Sequence, residues 1–162
     1  MLLAGAGTSL AQGIPGGATS LNETHGDWTV SCTAPEGIAR CTIMQLQVQG
    51  ESQQRVLAIE LTTDDSGATG TLVLPFGLRL DDGITLGLDE TEPFQSLRFA
   101  TCLPAGCLVA LTFGPDRVSA LGRSGLLAIK ATANDSGEGV AFSVSLRGFP
   151  SALARLAQLA GS

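Results

Sequence analysis

Short runs in which apolar and polar residues alternate fill most of the chain and predict β-strands. Trp28, Val30 and Cys32 fall on one face of such a run, and residues 55–61 repeat the pattern with aliphatic side chains. Turn residues separate the runs, which we place at 27–32, 40–48, 55–61, 71–74, 78–80, 84–88, 94–100, 108–113, 126–131 and 140–146. About ten short strands at this spacing predict an all-β sandwich of mostly antiparallel strands.

One run departs from simple alternation. Apolar residues occupy both phases of 40–48, where Ile43 and Met44 are adjacent. A shift of this kind indicates either a β-bulge or a strand that is buried on both faces.

The apolar spacing changes near the C-terminus. Leu153, Leu156, Ala157 and Ala160 recur at helical spacing, and Ser151 is a residue type that often caps a helix. We therefore expect a short amphipathic C-terminal helix that packs on the sandwich. A helix lying on a membrane surface is the alternative, but this segment carries a single charged residue.

The first 25 residues lack alternation. Residues 1–11 are apolar and end in a small-x-small pattern typical of secretory cleavage sites, although a basic start is missing. We expect a truncated or atypical signal peptide there, the alternative being an unstructured tail. Residues 12–25 are rich in Gly, Pro, Ser and Thr and predict a flexible linker. A single domain over residues 26–162 follows, and no later apolar run is long enough to span a membrane.

The composition is that of a folded domain. Hydrophobic residues make up 44% of the 162 residues, and the mean hydropathy is +0.29, which is enough to build a core. The net charge is −6, and the arginines are scattered singly. Such a surface repels the phosphates of nucleic acid, so we predict no nucleic-acid partner.

Four cysteines form two local pairs. Cys32 and Cys41 flank a predicted hairpin with eight residues between them, and Cys102 and Cys107 enclose four residues. These spacings favour two disulfides, which indicate an oxidising compartment and therefore export. Free thiols and a zinc site are the alternatives. Structural zinc prefers about two residues between paired cysteines, and neither pair matches.

Candidate catalytic and metal-binding groups are few. His25 is the only histidine and lies in the predicted linker, a poor position for a general base or a metal ligand. Three acidic clusters would suit a carboxylate-based hydrolase, or calcium, if two of them met in one cleft. All stand at or beside predicted turns, so we predict no catalytic residue, metal or cofactor. The clusters are Asp64 with Asp65, Asp81 with Asp82, and Asp89 with Glu90 and Glu92.

Sites for sugars and other small ligands generally use accessible aromatic side chains. The chain has one tryptophan, six phenylalanines and no tyrosine, and most of these aromatics are in phase with core residues. Phe76 or Phe94, lining a concave face beside acidic residues, would favour a binder of small ligands or glycans. A flat and fully packed face would count against it.

Several segments together resemble the invasion-associated locus B family. They follow one another in order from about residue 26 to residue 157 and read GDWTVSC, CTIMQ, LPFGLRL, GITLGLD, FATC with GC, and SLRGF. Each segment alone is weakly specific, whereas the ordered set is fairly specific.

The resemblance implies an exported protein of Gram-negative, mainly alphaproteobacterial, cells, with a β-sandwich-like fold, two disulfides and no known enzymatic activity. The family has no agreed catalytic residues, and we interpret the four cysteines, Trp28 and Gln45, which match its pattern, as structural. We therefore expect a non-catalytic interaction protein of the periplasm, outer membrane or cell exterior. Its partner would be an envelope or host protein. A binder of small ligands or glycans is the first alternative, and a carboxylate-based hydrolase is the second.

Overall fold

The computed structural model describes residues 13–52 and 54–161, so the predicted signal peptide, residues 1–11, lies outside the described residues. Eleven strands and two α-helices form in this part of the chain. The strands are β1 (Ser20–His25), β2 (Trp28–Thr33), β3 (Arg40–Gln49), β4 (Gln54–Asp64), β5 (Gly67–Leu74), β6 (Ile84–Leu88), β7 (Gln95–Leu97), β8 (Thr101–Leu103), β9 (Gly106–Phe113), β10 (Leu126–Thr132) and β11 (Gly139–Ser145). The helices are α1 (Pro115–Gly122) and α2 (Phe149–Gly161).

The strands form two antiparallel sheets, which confirms the predicted all-β sandwich. The larger sheet has seven strands in the order β1-β2-β3-β4-β5-β9-β8, and the smaller has four in the order β11-β10-β6-β7. Within the described ranges, no helix is both long enough and apolar enough to cross a bilayer.

Strand alternation places one hydrophobic core against the inner face of the larger sheet. Trp28 and Val30 of β2, and Leu57, Ile59 and Leu61 of β4, are each at most 1% exposed. Burial of each such side chain stabilises the fold by about 1.5–3 kcal/mol. Residues of the smaller sheet and of α2 join the same core, among them Ile84, Leu86, Leu127, Ile129, Val144, Phe149, Ala152 and Leu156.

Helix α2 packs on the inner side of β1–β4, as predicted. The ring of Phe149 meets that of Trp28 edge-on, with 5.2 Å between centroids. Ser151 lies in the first turn of this helix, which begins at Phe149. Pro150 fits a first helical turn, where a missing N–H costs nothing. The Ser151 hydroxyl lies 2.7 Å from His25 Nδ1.

Side-chain amides from β3 join the two sheets along the outer edge of β11. Gln45 is 6% exposed and makes two hydrogen bonds with Ser145. Its Nε2 donates to the carbonyl of Ser145, and its Oε1 accepts from the backbone N–H of Ser145. Trp28 Nε1 donates to the same carbonyl, and Gln47 donates to the carbonyl of Ser143. The amides thus satisfy backbone groups that an edge strand would otherwise leave open.

Both predicted disulfides form, each between directly paired residues of a hairpin. Cys32 and Cys41 are partners in the β2–β3 register, and Cys102 and Cys107 are partners in the β8–β9 register. The described residues contain no free cysteine. Each disulfide therefore closes a short local hairpin, one toward each edge of the larger sheet.

The prediction of a flexible linker over 12–25 was wrong for the described residues of that segment. Ile14 is 3% exposed, and Ser20–His25 form β1, so the folded domain begins before residue 26. Alternation is hidden here because the inward positions of β1 include Glu23 and His25. These polar side chains are satisfied by hydrogen bonds to α2 rather than by apolar packing.

Two further element predictions were wrong. The predicted strand 78–80 runs into a 3₁₀ turn, Leu80–Asp82. The predicted strand 94–100 shrinks to β7, and its flanking phenylalanines reach the core from irregular segments. The segment between the runs 108–113 and 126–131 contains α1 as well as turn residues, with Pro115 at the first helical position and Asp116 in the first turn.

Candidate interaction surface

The three acidic clusters lie at strand ends, two of them at opposite ends of one strand. Asp81 and Asp82 precede β6, whereas Asp89 follows it, at the other end of the strand. Asp64 and Asp65 lie at the β4–β5 turn of the larger sheet. Among the described residues, no group of three or more His, Cys, Asp or Glu could hold a metal ion.

Two of these aspartates shape the backbone around them. Asp64 accepts hydrogen bonds from the hydroxyl of Ser66 and, at 2.7 Å, from the N–H of the same residue. Both bonds, the hydroxyl's first, lower the pKa of the Asp64 carboxyl. Asp89 accepts from the N–H groups of Gly125 and Leu126 at 2.9 and 3.0 Å. These carboxylates therefore stabilise turns and loop contacts, as the sequence predicted.

His25 does not lie in a linker but joins β1 to α2. Its Nδ1 is 2.7 Å from the Ser151 hydroxyl, and its Nε2 is 3.3 Å from Glu23. Glu23 also accepts two hydrogen bonds of 2.8 Å from Arg155, which hold the pKa of its carboxyl below the usual value. The order of Ser, His and Glu resembles a catalytic triad, but both carboxylate oxygens are engaged by Arg155. The network thus fastens α2 to the edge strand.

The two candidate aromatic side chains have different environments. Phe94 is half-buried, and the Arg117 guanidinium carbon lies 3.7 Å from its ring centroid, so its face is covered. Phe76 is 62% exposed. It lines a groove of about 520 Å³ with Pro75, Pro104 and other residues. The charged residue in this groove is an arginine rather than the acid that the sequence analysis required.

A row of apolar side chains crosses the outer face of the larger sheet. Leu46 pairs with Ala58, Ala58 with Val73, and Val73 with Leu108, which carries the row across β3, β4, β5 and β9. Leu46 is 49% exposed and the other three are half-buried. No side chain of this row belongs to the hydrophobic core or packs against it. The row therefore faces solvent.

We call this row, together with its two nearest apolar neighbours on β3, the outer-face patch. Its members are Met44, Leu46, Val48, Ala58, Val73 and Leu108. A depression of about 290 Å³ lies over the patch, and Arg55 lines both this depression and the Phe76 groove. The two surfaces are thus continuous. A polar row lies on the same face, on the Met44 side of the patch, and consists of Thr42, Thr62, Thr69 and Thr112.

Sequence reasoning missed the patch, although it detected the signal. The apolar residues in both phases of β3 were interpreted as a bulge or as burial on both faces. The structure has the bulge further along, between Gln47 and Val48, and Met44 points outward opposite Glu60. The second apolar phase therefore marks an uncovered face of the sheet.

A family model gives the first comparison with known proteins. Residues 28–157 match the model of the family described as invasion associated locus B (IalB) protein. The chain belongs to the invasion-associated locus B family. The resemblance seen in the sequence is therefore confirmed, and the match covers β2 to β11 and most of α2.

Individual members of the invasion-associated locus B family match over nearly the whole chain. A protein named invasion protein B homolog from Brucella abortus (strain 2308) is 40% identical over 153 residues, covering 94% of this chain and 88% of that protein. Invasion protein B from Bartonella bacilliformis is 33% identical, covering 90% and 80%. The crystal structure of invasion associated protein B from Bartonella henselae superposes with a TM-score of 0.80 at 31% identity, covering 86% and 97%.

Proposed function

We propose that the protein is an exported, non-catalytic interaction protein of the bacterial cell envelope that contacts a partner protein through the outer-face patch. The partner would be an envelope or host protein. The observation that carries this proposal is the apolar row on the outer face of β3, β4, β5 and β9. We propose host-cell invasion as its biological setting, and the name invasion protein B carried by its relatives supports this.

The patch has the properties of a protein contact. Its apolar side chains stand on strands of one sheet whose inner side is the hydrophobic core, so their positions are fixed before a partner arrives. A row of threonines borders the apolar centre on one side, and Arg55 and Glu60 flank it along β4. Polar groups at the margin of an apolar centre are typical of protein interfaces. Contiguous apolar patches on protein surfaces commonly mark interaction sites.

Two disulfides support export. Both close hairpins of the larger sheet, and structural disulfides persist mainly in oxidising compartments such as the periplasm and the cell exterior. We therefore propose the periplasm or the outer surface as the protein's location.

The surroundings of the candidate catalytic groups support a non-catalytic role. His25 and Glu23 are engaged with α2, and Asp64 and Asp89 bind backbone N–H groups. Asp81–Asp82 and Asp89–Glu92 lie at opposite ends of β6, so these two clusters do not form the shared cleft that a carboxylate-based hydrolase would need.

The test is crosslinking of the tagged, full-length precursor in cells, followed by purification and mass spectrometry. The wild type is compared with Leu46→Asp in the patch and with Asn22→Asp, an exposed residue of β1 on the same face. We expect a reproducible partner protein that is lost with Leu46→Asp and kept with Asn22→Asp. A partner kept by both variants would place the contact elsewhere, and the absence of any partner, a crosslinked second copy of the chain included, would contradict the proposal.

A second candidate function is the binding of a small ligand or glycan in the Phe76 groove. The exposed ring of Phe76 in a groove of about 520 Å³ favours it, since sugars stack on accessible aromatic faces. A ligand-detected NMR screen of a glycan and metabolite panel against wild type and Phe76→Ala tests this. Hits lost with Phe76→Ala would support the second candidate, and a panel without hits would count against it.

A further inference from the structure

We infer that the outer-face patch is occupied by a second copy of this chain, in a twofold-symmetric, face-to-face dimer in which Arg55 of each copy pairs with the partner's Glu60. This inference rests on the proposed use of the patch as a protein contact, and it names the partner. The charge pattern on either side of the apolar row carries it.

Arg55 and Glu60 flank the apolar row on the same strand. Glu60 pairs with Met44, and Arg55 pairs with Val48. Along β3, these two partners stand two residues to either side of Leu46. The bulge between Gln47 and Val48 makes the two distances from the row equal. It brings Arg55, three residues before Ala58 on β4, level with Val48, which is two residues after Leu46 on β3. Each charge is therefore about 7 Å from the row along the strand direction.

This spacing is complementary to itself under a twofold rotation. A twofold axis along the apolar row, at right angles to the strands, exchanges the two sides of the row. It brings Arg55 opposite the partner's Glu60 and Glu60 opposite the partner's Arg55, while Leu46 and Val73 meet their own counterparts. Contacts of this self-complementary kind are the usual basis of homodimers. Two sheets packed in this way lie about 10 Å apart.

Both charged side chains are available for such a contact. Arg55 and Glu60 are exposed, and neither takes part in an ion pair with another described residue. Other basic and acidic side chains of the molecule do pair, as Arg155 does with Glu23. Within the dimer, each copy would gain two opposite-charge contacts at the margin of an apolar centre, where charges set register and orientation.

The experiment is a charge swap followed by sedimentation velocity over about two decades of protein concentration. We expect the oxidised wild type to associate from monomer to dimer. Arg55→Glu and Glu60→Arg, made singly, each put like charges face to face at two places and weaken the dimer at least about tenfold. The double variant Arg55→Glu/Glu60→Arg restores opposite charges at both places and returns the dimer toward wild-type strength.

Matched controls separate a specific contact from a change in net charge. Arg98→Glu and Glu138→Arg make the same charge changes at exposed residues outside the patch and should leave dimerisation unchanged. All six proteins should melt at similar temperatures, because none of the altered side chains is buried. A wild type that stays monomeric, or a double variant that stays as weak as the single ones, would overturn the inference.

Failure of this inference is distinguishable from failure of the proposed function. A monomeric wild type that still crosslinks in cells to a different protein, and loses it with Leu46→Asp, overturns the dimer and keeps the patch as a contact. A monomeric wild type without any crosslinked partner overturns both.

Discussion

Replacing Gln45 by leucine tests how the two sheets are held together. The variant keeps a side chain of similar volume but removes the two hydrogen bonds that the amide makes with Ser145. The Ser145 carbonyl keeps its bond from Trp28 Nε1 at 2.8 Å. The N–H of Ser145 has no other acceptor among the described residues. The Gln45 side chain beside it is 6% exposed.

The expected cost follows from these contacts. A buried N–H left without a partner destabilises a fold by about 1–3 kcal/mol, and a lost hydrogen bond contributes about 1 kcal/mol. We therefore expect Gln45→Leu to lower the free energy of unfolding by about 2–4 kcal/mol. For a domain of this size, that corresponds to a fall in Tm of about 4–16 °C.

Urea denaturation of the oxidised protein measures this change. Trp28 is the only tryptophan and is buried against Phe149, so its fluorescence reports on the contact between the sheet and α2. Gln47→Leu is the matched control. Gln47 Nε2 donates to the carbonyl of Ser143 and to Gln45 Oε1 in a more exposed setting, where water can replace it. Because Gln45 keeps both of its bonds to Ser145, the loss should stay below about 1 kcal/mol. Equal costs for the two variants, or a neutral Gln45→Leu, would refute this account of the β11 edge.

Three further predictions concern other parts of the fold. Gly148→Ala should destabilise by about 2 kcal/mol or more in urea titration, because φ is +88° and an added Cβ would overlap the carbonyl of His25. Reduction of the disulfides should lower the Tm, because each disulfide contributes about 2–3 kcal/mol to the free energy of unfolding. Mass spectrometry of trapped thiols should show the β8–β9 disulfide opening first, because Cys102 is exposed. A hydrogen bond from Arg147, and a smaller contribution from that of Ser145, lower the pKa of Asp27 from 3.8 to about 2. Its contribution to stability is therefore present above pH 3.8 and lost as the pH falls toward about 2, and Asp27→Asn should flatten the stability profile over that window.

The core strands and the disulfides were predictable because their physics is local. Leu57, Ile59 and Leu61 alternate since one face of β4 is buried, and a hairpin brings Cys32 and Cys41 into register without any distant contact. The number and spacing of the strands predicted the all-β sandwich, and the family resemblance implied the same architecture.

Elements that depend on distant partners were not predictable in the same way. β1 looks like a linker because Glu23 and His25 are satisfied by α2, which lies more than a hundred residues away. The outer-face patch is an assembly of four strands whose order is set by pairing across the sheet. Its symmetric charges depend on a bulge whose position alternation did not give.

The central claim is that the outer-face patch contacts another protein, and site-specific photo-crosslinking in living cells tests it most directly. A photoreactive residue is placed at Leu46, with Asn22 of the same sheet face as the control position. The account predicts abundant protein adducts from position 46, a second copy of the chain among them, and few from position 22. Adducts from position 46 no more frequent than those from position 22 would contradict it.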